Sequence, residues 1–122
     1  MQCALVVDDN LGNRGLVGAI LTGLGYEVVA AGSVREAREL LSRSPVPVLA
    51  VLDYNLPDGT GPDIAHLLRE CYGQDIRIVS ISGNMGPDAK WKPEERELYN
   101  EVLGKPFDVK DLELATASPR SP

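Results

Sequence analysis

Short apolar runs alternate along this chain with stretches whose apolar residues recur at helical spacing, the order expected of an α/β protein built on a parallel sheet. The first run, Ala4-Leu5-Val6-Val7, reads as a buried strand. From about Asn13 to Leu24, the positions Leu16, Val17, Ile20, Leu21 and Leu24 follow the helix period, and Gly25 suits the residue just beyond a helix end. Residues 26–31 predict a second strand, and Ser33 with Glu36 forms a capping box for a helix reaching about Ser42, stopped by Pro45 and Pro47. A third strand over 48–52 runs into the turn formers Asn55-Leu56-Pro57-Asp58-Gly59. Thr60 and Asp63 then cap a third helix that reaches about Cys71. Residues 76–81 read as a fourth strand, and Val102-Leu103 ends a short fifth. Pro93 suits a first helical turn better than an interior, so the fourth helix is expected to hold only about two turns, from Pro93 to Tyr99. The last helix opens at Asp108-Val109-Lys110-Asp111 and must stop before Pro119, which leaves it under about three turns.

Five such units predict a doubly wound, five-stranded parallel sheet with helices on both faces. At 122 residues, with 43% apolar and 25% charged positions, one domain is expected, over 1–117, with 118–122 as a tail or the start of a linker. A formal net charge of -6 opposes nonspecific attraction to nucleic acid or anionic lipid, so no direct nucleic-acid role is expected. No apolar stretch approaches a membrane span and the first residues lack a signal-peptide layout, so the expected location is cytoplasmic. Cys3 and Cys71 are too few for a disulfide framework and read as reduced packing residues.

Chemistry concentrates at the strand ends. The first strand delivers Asp8 and Asp9 to one edge of the sheet, and the third delivers Asp53. In a doubly wound sheet ligands bind beyond the carboxyl ends of the strands, where the winding reverses. Carboxylates gathered there repel one another unless a cation lies among them, so the cluster predicts a divalent metal. An aspartate after a strand is otherwise a turn former or helix cap, and Asp8 alone would fit that role equally well. Ser82 beside Gly83 could simply end a strand, and Lys105 before Pro106 could be a solvated lysine; their value lies in the set.

That set resembles the receiver domains of two-component response regulators, which take phosphate from a histidine kinase onto an aspartate. Asp8-Asp9 match the family's acidic pair, Asp53 its phosphoacceptor, and Asn55 the position two beyond it. Ser82 matches the hydroxyl position and Lys105-Pro106-Phe107 the lysine motif. The spacings are 44 residues from Asp9 to Asp53, 29 more to Ser82 and 23 more to Lys105. The resemblance extends to about Ala115 and implies the sheet order 2-1-3-4-5, a flavodoxin-like arrangement. It implies Mg²⁺, or Mn²⁺ in its place, on Asp8, Asp9, Asp53 and the Asn55 backbone carbonyl, with Ser82 and Lys105 on the phosphate. It also implies a histidine kinase or histidine phosphotransfer protein as donor, a downstream protein as target, and self-phosphorylation and self-dephosphorylation rather than turnover of a separate substrate. Tyr54 and Asn84 occupy positions that can tune phosphate lifetime through water access.

The chain departs from the family at Val102, where an aromatic switch residue is usual three before the lysine, which opens the question of how a phosphate on Asp53 would be felt elsewhere. Trp91 lies on the loop before Pro93, where it either covers the edge of the core or rides on a moving segment. His66 and Arg14 read as a surface or packing histidine and a solvated helix residue. Tyr99-Asn100-Glu101-Val102-Leu103-Gly104-Lys105 leans toward the receivers of hybrid kinases, so both a free-standing regulator and a module of a longer polypeptide fit. Two other classes compete: a phosphatase working through an aspartyl phosphate, and a phosphate-independent interaction domain. The phosphatase would want a second acid two residues after the nucleophile, where this chain has Asn55.

Overall fold

The structure, a computed structural model, describes residues 2–43, 45–83 and 90–116. Its elements follow in the order β1 (Cys3–Val7), α1 (Leu11–Gly23), β2 (Glu27–Ala31), α2 (Val34–Leu41), β3 (Pro47–Asp53), β4 (Asn55–Leu56), β5 (Gly59–Thr60), α3 (Gly61–Tyr72), β6 (Arg77–Ser82), α4 (Pro93–Arg96), β7 (Glu101–Gly104) and α5 (Val109–Thr116). The five longer strands form one parallel sheet in the order β2-β1-β3-β6-β7. With the β4–β5 hairpin set aside, this is the expected 2-1-3-4-5 order.

Strand residues alternate between two cores because successive side chains point to opposite faces. Leu5, Val7, Ala50, Leu52 and Ile78 pack with Ala37, Ile64, Ala65 and Leu68 on the face covered by α2 and α3. Ala4, Val6, Leu49, Val51, Val79 and Ile81 pack with Val17, Leu21, Leu112 and Ala115 beneath α1 and α5. Burial on both faces explains why β1 and β3 read as unbroken apolar runs.

Local signals set most boundaries, with instructive differences. α1 starts at Leu11, two residues before the expected Asn13, because the Asn10 side chain accepts from the Asn13 N–H at 2.9 Å and caps it. In the predicted capping box of α2, Ser33 Oγ accepts from the Glu36 N–H at 3.1 Å, whereas Glu36 turns to the Gly32 N–H. The turn-rich segment after β3 is ordered as the β4–β5 hairpin, and Asp58 within it accepts from the N–H groups of Val34 and Arg35, capping α2 from a distance. α4 is shorter than expected, a four-residue turn from Pro93 to Arg96. Cys3 is buried, but Cys71 is exposed and is not a packing residue. The expected boundary near 117, the expected tail and residues 84–89 of the expected loop lie outside the described residues.

Candidate functional site

The register of the sheet assembles the site. Val7 pairs with Leu52, so the residues that follow them, Asp8 and Asp53, leave adjacent strands side by side. Asp53 pairs with Ile81, and Ser82 pairs with Gly104, the residue before Lys105. The carboxyl ends of β1, β3, β6 and β7 thereby bring Asp8, Asp53, Ser82 and Lys105 to one edge. Asp9 joins them: one carboxylate oxygen from each of Asp8, Asp9 and Asp53 lies within 4.8 Å of the other two.

The three carboxylates differ in setting. Asp8 is fully buried, and its Oδ1 accepts from the Asn10 N–H at 2.9 Å while Oδ2 lies 3.4 Å from Lys105 Nζ. Asp53 is buried at 7% exposure; its Oδ1 accepts from the Tyr54 N–H at 2.9 Å and its Oδ2 lies 3.7 Å from Lys105 Nζ. Asp9 is exposed and gives the cluster an open side. Burial and the neighbouring Asp8 raise the Asp53 pKa from 3.8 to about 6 despite the opposing pull of Lys105 and the Tyr54 N–H. A single ammonium therefore leaves the carboxylate charge under-compensated. An all-oxygen donor set with excess negative charge and one open side fits a hard divalent cation.

Most of the remaining sequence expectations have a definite place. Ser82 is buried, and its carbonyl accepts from the Lys105 N–H at 3.0 Å. Asn55 is exposed at the start of β4, two residues past Asp53. Val102 is buried in β7 opposite Ser80, with no ring at that position. Asn84 lies outside the described residues. His66 is on the surface of α3, 3.8 Å from Glu70, as a surface histidine should be. Arg14 is not simply solvated: its Nη1 donates to the Asp8 carbonyl at 3.2 Å.

Aromatic residues supply a feature that sequence spacing does not reveal. The Trp91 ring stands edge-on to both Tyr54 and Tyr99, with centroids 5.4 Å apart in each case. Trp91 packs against the core, which favours the core-edge role over an unattached loop. Tyr54 Oη donates to Glu95 Oε1 at 3.1 Å, linking the residue after Asp53 to α4. Tyr99 is buried three residues before Val102; its hydroxyl faces Ser80 Oγ, and neither hydroxyl achieves hydrogen-bond geometry among the described residues. Gly61 lets α3 approach β3, since a Cβ there would fall 2.5 Å from the Asp53 carbonyl oxygen and 3.0 Å from Tyr99 Oη. Its N–H donates to the Tyr54 carbonyl at 2.7 Å. Only the wide separation of Tyr54, Trp91 and Tyr99 in sequence hid this set.

The sheet order, both covered faces and the acidic strand ends define a doubly wound α/β protein of the chemotaxis-regulator type. The chain matches the response regulator receiver domain family over residues 4–117 and belongs to it. Receiver domains are signalling modules of two-component systems rather than enzymes that turn over a separate substrate. Response regulator protein PilR of Pseudomonas aeruginosa is 38% identical over 85 residues, covering 69% of this chain and 19% of PilR. The chain thus spans about a fifth of that relative. The CheY-like receiver domain of Methylobacillus flagellatus superposes with a TM-score of 0.79 at 28% identity, covering 93% of this chain and 94% of its own. Response regulator TrrA of Thermotoga maritima, solved in complex with Mg²⁺ and BeF, shares the fold at a TM-score of 0.79 and 24% identity, covering 93% of this chain and 95% of its own. Among the described residues, no helix is long and apolar enough to cross a membrane.

Proposed function

We propose that this domain, over about residues 1–117, accepts a phosphoryl group on Asp53 from a phosphohistidine and passes the signal on by altering a protein-binding surface. The observation that carries the proposal is the Asp53 carboxylate, buried beside Asp8 and within ion-pair distance of Lys105 at the strand ends. Phosphoryl transfer is mostly positioning and charge compensation, and the site is built for both. An Asp53 oxygen attacks phosphorus, the new O–P bond forms as the partner's N–P bond breaks, and the electron pair leaves with the imidazole. The acid is already poised for this, because a carboxylate with a pKa near 6 is ionised at neutral pH.

Lys105 supplies a point charge to the phosphoryl oxygens, and the Ser82 hydroxyl donates a hydrogen bond to one of them. Asp8, Asp9, Asp53 and the Asn55 backbone carbonyl would hold Mg²⁺, with Mn²⁺ as a substitute; when bound, the ion offsets the combined charge of carboxylate and phosphate. Tyr54 follows Asp53 directly and would tune phosphate lifetime by controlling water access. The donor is a histidine kinase or a histidine phosphotransfer protein, and the setting is cytoplasmic. Because Val102 carries no ring, the aromatic set Tyr54, Trp91 and Tyr99 is the coupling element between Asp53 and α4. Asn55, an exposed amide where a phosphatase needs an acid, supports phosphoacceptor over enzyme.

Incubation with Mg²⁺ and acetyl phosphate followed by intact-mass measurement tests the proposal. One phosphoryl group should be gained by the parent and none by Asp53→Asn. No gain with either acetyl phosphate or a competent kinase would refute it.

A further inference from the structure

The backbone of Asp8 is held as firmly as its side chain. Its N–H donates to the Ala31 carbonyl at 3.1 Å, and its carbonyl accepts from Arg14 Nη1 at 3.2 Å. Its Oδ1 accepts from the Asn10 N–H at 2.9 Å, so Oδ2, directed toward Lys105, is the oxygen left for the site. Arg14 reaches this carbonyl by folding back from α1 over the end of β2. The route exists because residue 32 is glycine: a Cβ there would lie 2.5 Å from Arg14 Nη1. Gly32 is itself fixed from the far side, its N–H donating to Glu36 Oε1 at 2.6 Å.

We infer that Arg14 is a positioning residue for the divalent-cation site, acting through the Asp8 peptide, and that Gly32 is the gap through which it works. The inference rests on the reading of Asp8, Asp9 and Asp53 as the cation's ligands. Two consecutive carboxylates on a short loop relieve their repulsion most cheaply by rotating the peptide between them, which would swing Asp9 away into solvent. The guanidinium pins that peptide by its carbonyl oxygen. Outer-shell partners of this kind hold ligands in place before the ion arrives, and their loss typically weakens metal binding by about 10- to 100-fold.

Calorimetric titration of Mg²⁺ alone into the full chain tests the role, with urea melts confirming that each variant is folded at the titration temperature. Arg14→Ala should weaken Mg²⁺ binding by roughly tenfold or more. Gly32→Ala, which keeps the arginine but obstructs its path, should weaken it similarly, and Arg14→Lys, which keeps a donor, should weaken it less. A merely structural Arg14 would lower the melting midpoint and leave the Mg²⁺ affinity of the folded variants equal to that of the parent, and that result overturns the inference. If Arg14→Ala does not fold, equal affinity in Gly32→Ala and Arg14→Lys overturns it in the same way. A parent that takes up no Mg²⁺ would instead remove the cation-site reading beneath it.

Discussion

The Lys105 ammonium lies 3.7 Å from Asp53 Oδ2, at the meeting point of two strands that are separated in the sheet by β6. It also lies 3.4 Å from the buried Asp8. One cation therefore faces two carboxylates, and burial outweighs it: Asp53 still has its pKa raised to about 6. In the phosphorylated state the same ammonium would face the phosphate. Replacing Lys105 with alanine should slow phosphorylation by acetyl phosphate by about 100-fold or more, the usual cost of losing one preorganised charge partner. A time course of intact mass measures this, and equal rates in the two proteins would remove Lys105 from the chemistry.

The raised pKa of Asp53 gives the cation-free protein a defined pH response. Protonated Asp53 is favoured in the fold, so without divalent ions its contribution to stability should be fully present below about pH 4 and lost as pH rises through about 6. The displacement from 3.8 to about 6 is equivalent to at most on the order of 3 kcal/mol against the ionised form. Asp53→Asn should abolish this component and, in EDTA at neutral pH, unfold at higher urea than the parent. Marked destabilisation by Asp53→Asn would show that the carboxylate carries structural hydrogen bonds that outweigh its repulsion.

Gly61 is a tight junction between β3 and α3. Alanine at that position places a methyl group against the Asp53 carbonyl and the Tyr99 hydroxyl, so backbone must shift. Gly61→Ala should cost about 1–3 kcal/mol in denaturant melts and also slow phosphorylation of Asp53. A variant as stable and as reactive as the parent would mean that the junction relaxes freely.

Trp91 offers a direct view of coupling. Its ring touches Tyr54, the residue after Asp53, and Tyr99, which is buried beside Ser80. Adding Mg²⁺ and acetyl phosphate should change its emission in the parent and not in Asp53→Asn. Tyr99→Phe, which deletes a buried hydroxyl lacking a hydrogen-bond partner among the described residues, should change stability by less than about 1 kcal/mol. Unaltered emission after phosphorylation would place the signalling route away from these rings.

Much of the fold was legible because β1 and β3 are buried on both faces, and such strands must be written as continuous apolar runs. The strand-end residues were legible for the related reason that a doubly wound sheet sends Asp8, Asp53, Ser82 and Lys105 to one edge. Periodicity could not show interactions that depend on tertiary approach. Asp58 capping α2, Arg14 turning back to Asp8 and the Tyr54, Trp91 and Tyr99 contacts join residues whose spacing follows no repeat. The start of α1 was missed by two positions because the Asn10 side chain, rather than an apolar residue, sets it.

The central claim is that Asp53 itself carries the phosphoryl group. An acyl phosphate can be reduced by borohydride to leave homoserine, which marks the acceptor position permanently. The parent, treated with Mg²⁺ and acetyl phosphate and then reduced, should yield homoserine at position 53 alone on peptide mass mapping. Homoserine at any other aspartate, or a phosphoryl adduct that persists in Asp53→Asn, would contradict the account.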